Sequence, residues 1–154
     1  IGRHRILDQC AGRQRQMVIR DRDIEKQIKP NIVTKIYSRH FFEHLTHDQA
    51  KKTLNAWYNI CIDGAEITML VPNMNLHLWQ WNNWDKLTEE EKDHCRAGFW
   101  GWQREGDDSN WDLHKSGYDF KRLKELVEQH NFKNISKFMP DGLKDKHLAV
   151  RFFK

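Results

Sequence analysis

The feature that most constrains this chain is a run of about 40 residues, Val33 to Asn73, that alternates between two periodicities. "VTKIYS" (33–38) is β-branched and aromatic, follows the breaker pair Pro30-Asn31, and reads as a short strand. In "HDQAKKTLNAWYNICIDG", residues Ala50, Leu54, Trp57, Tyr58 and Cys61 form an apolar stripe at helical spacing. Thr46 with Gln49 three residues on fits a capping box, and Gly64 fits the left-handed position beyond the last turn. "AEITMLVPN" (65–73) reads as a second strand, closed by Pro72-Asn73. Strand, helix and strand at this spacing make a βαβ unit, with two parallel strands and a right-handed crossover. The fold class is therefore α/β.

Beyond Asn73 the chain extends the same pattern. Residues 74–111, "MNLHLWQWNN…", are an aromatic insertion with one or two helices, Thr88 before Glu89-Glu90-Glu91 fitting an N-cap with an acidic first turn. "GDDSNWDLHKSG" is a loop by composition. "YDFKRLKELVEQHN" is amphipathic, with Phe120, Leu123, Leu126 and Val127 on one face of a helix ending at Asn131. "FKNISKFM" and "KHLAVRFFK" are strands whose closeness, across "PDGLKD", favours an antiparallel pair. From Val33 onward this is the order of one half of a doubly wound sheet with an antiparallel end.

Composition limits the function classes. A chain of 154 residues with 38% hydrophobic content suits one domain, and no apolar run nears the roughly 20 residues that cross a bilayer. Three widely spaced cysteines, Cys10, Cys61 and Cys95, argue against a disulfide framework, so a cytoplasmic location is expected. The net charge is +4, with Arg3, Arg5, Arg13, Arg15, Arg20 and Arg22 in the N-terminal segment. Without an aromatic-plus-basic RNA signature, nucleic acid is not the expected partner.

The stretch "IYSRHFFEHL" holds His40-Phe41-Phe42-Glu43-His44, which fits the H-x-x-E-H spelling of a zinc peptidase class. That chemistry needs both imidazoles on one helical face and a third ligand. Here the string comes directly after a strand and precedes the Thr46 cap, so His40 falls in a strand-to-helix turn. A zinc hydrolase is the weaker reading, and no metal ligand is assigned.

"IYSRHFFEHLTHDQAKKTLNAWYNICIDGAEITMLVPN" resembles the middle of class I S-adenosylmethionine-dependent methyltransferases of the small type 11 kind. In that family a fourth strand enters a Ser-x-His-x-x-Glu-His-Leu turn, then a helix and a fifth strand ending in Val-Pro. "DLHKSGYDFKRLKELVEQHNFKNI" (112–135) resembles the family's later His-x-x-Gly-Phe/Tyr segment, helix and sixth strand, with "HLAVRFFK" as the seventh. The resemblance implies a Rossmann-like class I sheet over residues 24–154, with an antiparallel C-terminal strand pair and a tryptophan-rich helical insertion. Residues 1–23 form a basic, divergent segment. "RILDQCAG" echoes the glycine-rich cofactor loop through Leu7, Asp8 and Gly12 but lacks its second glycine. Only 20 residues separate Gly12 from Val33, fewer than the about 30 of one βαβ unit, so the sheet is expected to be truncated on its N-terminal side.

By the same resemblance the cofactor is S-adenosylmethionine. Ser38, Arg39 and His40 line its pocket, and Glu43 and His44 shape the turn. His114 orients the acceptor or acts as general base. Phe41, Phe42 and Leu45 are core residues. Trp79, Trp102 and Trp111 belong to a lid over a small-molecule or saccharide acceptor; the competing expectation is that the tryptophans form the core of the insertion. The expected function is methyl transfer, the alternative a catalytically silent binding or assembly module that self-associates through its exposed sheet edge.

Overall fold

The computed structural model describes residues 28–103, 112–139 and 146–154, and the backbone of 16–18. In chain order the strands and α-helices are β1 (Gln16–Val18), β2 (Val33–Arg39), α1 (His47–Ile60), β3 (Cys61–Pro72), α2 (Met74–Asn82), α3 (Glu89–Trp100), α4 (Phe120–Glu128), β4 (Lys133–Lys137) and β5 (His147–Phe153). They build one five-stranded sheet in the order β1-β2-β3-β5-β4. β1, β2 and β3 are parallel, while β5 runs antiparallel to both β3 and β4.

The βαβ unit forms as its periodicity predicts. Thr46 caps α1 with its side chain accepting from Gln49 N, and the Gln49 side chain returns to Thr46 N. Leu54, Trp57 and Ala50 of the apolar stripe are fully buried, packing with Ile36 of β2, Ile67 and Met69 of β3, and Leu123 and Val127 of α4. In β3 the alternate residues Thr68 and Leu70 are buried as well, as in a strand covered on both faces.

Three local expectations change. Helix α1 stops at Ile60, and the chain passes straight into β3, so Gly64 is not a helix cap. It lies inside the strand element with φ +81°, where its N–H donates to Lys154 O. Helix α4 ends at Glu128, before Asn131, which takes the left-handed φ of 66° in the next turn. The N-terminal segment also contributes to the sheet: Met17 pairs with Ile36, adding a parallel strand beside β2.

Over its described residues the insertion folds as two α-helices joined by a 3₁₀ turn, Trp84–Lys86. Thr88 caps α3 through a capping box with Glu91. Trp79, Trp81, Trp100 and Trp102 are about half exposed, Trp79 at 56%. They do not form the core of the insertion. Trp81 instead meets Trp84, Phe99 and Trp100 edge to face at 5.5–5.7 Å, and Arg96 stacks over Trp84 at 5.2 Å. Among the described residues, Trp57 is the tryptophan that fills the core. Among the described residues no helix is long and apolar enough to cross a membrane.

Candidate active site

The parallel strands β2 and β3 end together, with Arg39 in register with Leu70 and Ser38 with Met69. Because β5 is antiparallel, its first residue, His147, pairs with Pro72 and joins the same rim. In an open α/β sheet this rim is where ligands bind.

The chain leaves β2 through a sharp bend. His40 has φ 49°, a left-handed conformation uncommon for a residue with a Cβ, and its N–H donates to Leu70 O at 3.0 Å. A short 3₁₀ turn, Phe42–His44, leads on to the Thr46 cap. His40 and His44 therefore do not share a helical face, and the peptidase geometry is absent. Phe42 and Leu45 are buried in the core and Phe41 packs against it.

The turn is held by a strap from the segment before α4. Glu43 O accepts from Lys115 N at 2.7 Å and Ser116 N at 3.1 Å, while Ser116 Oγ donates to Phe42 O. His44 Nδ1 donates to Leu113 O at 3.2 Å. The strap is fixed in turn by α3: His114 Nδ1 donates to Gly98 O at 2.9 Å, and His114 N donates to Trp100 O. Gly101 makes this approach feasible, and Gly98 lets α3 pack closely on α2. A Cβ on Gly98 would lie 2.3 Å from the His77 ring, and one on Gly101 would lie 2.0 Å from Asp112 O, where the backbone already has φ +81°.

Polar groups concentrate here. Glu43 is 1% exposed; its Oε1 accepts from His40 Nδ1 at 2.9 Å, and its Oε2 has no hydrogen-bond partner among the described residues. Ser38 is 3% exposed and its Oγ is likewise unpartnered among them. His40 meets His147 edge to face at 4.8 Å, and His44 meets His114 at 5.0 Å. His77 of α2 and His94 of α3 lie 4.9 Å apart, with His77 Nδ1 donating to Gln80 Oε1. Burial pushes His114 below the ordinary histidine range. It pushes His77 to about 4, helped by His94, and His147 to about 4, helped by His40 and Arg39. In His77, His114 and His147 burial thus disfavours the charged form.

Of the residues expected at the site, Ser38, His40, Glu43, His44 and His114 come together at the rim, with Arg39 exposed at the strand end. Trp79 and Trp102 are exposed on the insertion, and Trp111 lies outside the described residues, as does the glycine-bearing stretch 1–15. Sequence reasoning misses His147 and Asp112. Asp112 Oδ1 lies 3.9 Å from His44 Nε2. The signal for His147 is its place as the first residue of a strand antiparallel to β3. A hollow of about 410 Å³ lies at the other end of the sheet, lined by Ile28, Pro30, Tyr58 and Lys154. Lys154 Nζ there already donates to Asn31 Oδ1 and Cys61 O, in contrast to the unmet polar atoms of the rim.

No protein-family model matches the sequence, and no curated protein matches it. Solved structures do. A SAM-dependent methyltransferase from Archaeoglobus fulgidus superposes with TM-score 0.54 at 12% identity, covering 86% of this chain and 64% of that one. The methyltransferase SibL in its apo form gives TM-score 0.55 at 12% identity, covering 86% and 34%. A Bordetella parapertussis protein described as a candidate exported protein gives 0.58 at 9% identity, covering 86% and 42%. The described chain thus has the mixed sheet of class I methyltransferases, and it spans from about a third to just under two thirds of the length of these structures.

Proposed function

We propose that this chain forms the acceptor-side part of an S-adenosylmethionine-dependent methyltransferase acting on a small-molecule or saccharide acceptor. The observation that carries the reading is the buried, unpartnered Oγ of Ser38 at the carboxyl end of β2, beside the left-handed bend at His40. A buried hydroxyl without a partner costs about 1–3 kcal/mol, a cost that a bound ligand's polar edge would remove. Ser38 and His40 would hold the cofactor, and Arg39 would reach its outer edge.

The cofactor would supply a sulfonium-bound methyl group, an electrophile that needs alignment more than acid–base help. This chain's own residues would do the aligning. The Glu43 and His44 turn is fixed by its strap, so the rim keeps its shape when loaded. His114 presents Nε2, because its Nδ1–H is committed to Gly98 O. That lone pair can accept a hydrogen bond from an acceptor hydroxyl or amine and orient it for in-line attack. The exposed rings of Trp79 and Trp102 would stack on a sugar or aromatic acceptor.

Calorimetry with S-adenosylhomocysteine tests the reading. Micromolar binding, weakened roughly tenfold by Ser38→Val, is expected for the loss of one hydrogen bond. Absence of binding at millimolar ligand would favour the alternative, a catalytically silent binding module.

A further inference from the structure

We propose that Glu43, His44 and His114 form a binding site for one divalent transition-metal cation of the zinc type. The site does not depend on the methyltransferase reading. One donor atom from each of the three residues lies within 4.8 Å of the others. A tetrahedral ion at about 2.1 Å from each donor would set them about 3.4 Å apart, so modest side-chain rotation closes the site.

The supporting contacts argue for more than chance proximity. Both imidazoles donate through Nδ1 to a backbone carbonyl, His44 to Leu113 O and His114 to Gly98 O. Such bonds fix the tautomer and leave Nε2 with its lone pair, as in metal-ligating histidines. Glu43 is tied at Oε1 by His40, while its buried Oε2 has no partner among the described residues. A carboxylate oxygen held in a dry site without a donor is costly, and a cation would relieve it. Asp112 Oδ1, 3.9 Å from His44 Nε2, is within reach as a further oxygen donor. Partial exposure of His44 and Asp112 leaves a side from which an ion and a second oxygen ligand can enter.

The ligand set differs from the H-x-x-E-H reading. His40 supports Glu43 instead of coordinating, and His114, 70 residues after His44, takes its place as ligand. Two imidazoles and one carboxylate suit zinc, cobalt, iron or manganese better than magnesium or calcium. In the loaded site the Nε2 lone pair of His114 would be taken by the ion and closed to a hydrogen-bond donor.

The full chain, stripped with chelator, is titrated with Zn²⁺ by calorimetry and with Co²⁺ by visible absorption. One equivalent should bind with a dissociation constant below about 10 μM, and Co²⁺ should develop an intense d–d band of low coordination number. Glu43→Gln and His114→Gln should each weaken binding at least roughly 30-fold. His40→Gln should weaken it about tenfold as a supporting residue, and His130→Gln should leave it unchanged. In the unaltered protein, diamagnetic Zn²⁺ should shift the imidazole NMR signals of His44 and His114 but not those of His47 and His130. The proposal is overturned if natively folded protein gives no Co²⁺ band and no Zn²⁺ heat at about 1 mM, if His114→Gln leaves the affinity unchanged, or if Zn²⁺ shifts other imidazoles instead. S-adenosylhomocysteine binding, measured on the stripped protein, reports separately on the methyltransferase reading.

Discussion

The two ends of the sheet present different solutions to burying polar groups. At the end formed by Asn31, Cys61 and Lys154, the Lys154 ammonium donates to Cys61 O and Asn31 Oδ1 and lies 4.6 Å from the Tyr58 ring centre. Burial there pushes the Cys61 thiol up to about 11, so it is protonated and inert. At the other rim, Ser38 Oγ and Glu43 Oε2 are buried without partners among the described residues, and several imidazoles are pushed down toward neutrality. At the end with the hollow the lysine is satisfied, although Thr34 Oγ1 and Trp57 Nε1 are buried there without hydrogen-bond partners among the described residues. The rim differs in that its unmet atoms include a carboxylate oxygen and stand at the carboxyl ends of the parallel strands, where a ligand would relieve them, and this makes it the functional candidate.

The largest expected break in this comparison comes from paired glycine substitutions. Gly101→Ala should cost more than about 3 kcal/mol in urea unfolding, because its Cβ would strike Asp112 O in a left-handed backbone. Gly64→Ala, with the same φ of +81° but open space around it, should cost only about 1–2 kcal/mol. Equal losses would show that the strap does not pack closely on Gly101.

Acid should sharpen the contrast next. The folded His77 titrates near 4 instead of 6.5, so the unfolded chain binds more protons between these values. Stability should therefore fall as pH drops from about 6.5 to about 4, by about 2–3 kcal/mol from this buried group alone. Denaturant midpoints across that range measure it, and His77→Gln should flatten the slope. A slope of the opposite sign would mean the imidazole is charged in the fold. The smallest effect belongs to the end with the hollow, where Lys154→Met should cost about 1–2 kcal/mol by orphaning the Cys61 carbonyl.

Legibility in the sequence tracked the range of the interactions involved. The βαβ unit and the caps at Thr46 and Thr88 depend on residues within one turn, so pattern alone placed them. The bend at His40 was readable because a strand pattern stops just before a cap. β1 was not, since "QMV" among arginines has no periodicity of its own and becomes a strand only by pairing with β2. His147 escaped for a related reason: the sequence shows that β4 and β5 pair, but not that β5 also lies against β3. The tryptophans show the limit of composition, which counts rings without saying which face solvent. The match between His44 and His114, far apart in the chain, required the strap to be seen closing on the turn.

His114 hangs from the last turn of α3, which ends in the half-exposed Trp100, and Trp81 of α2 packs edge to face on that ring. The aromatic insertion is therefore geared to the rim: anything that leans on those rings and tilts the helix drags the imidazole with it. Sequence drift on this outer surface would move the imidazole without altering a single residue of the rim.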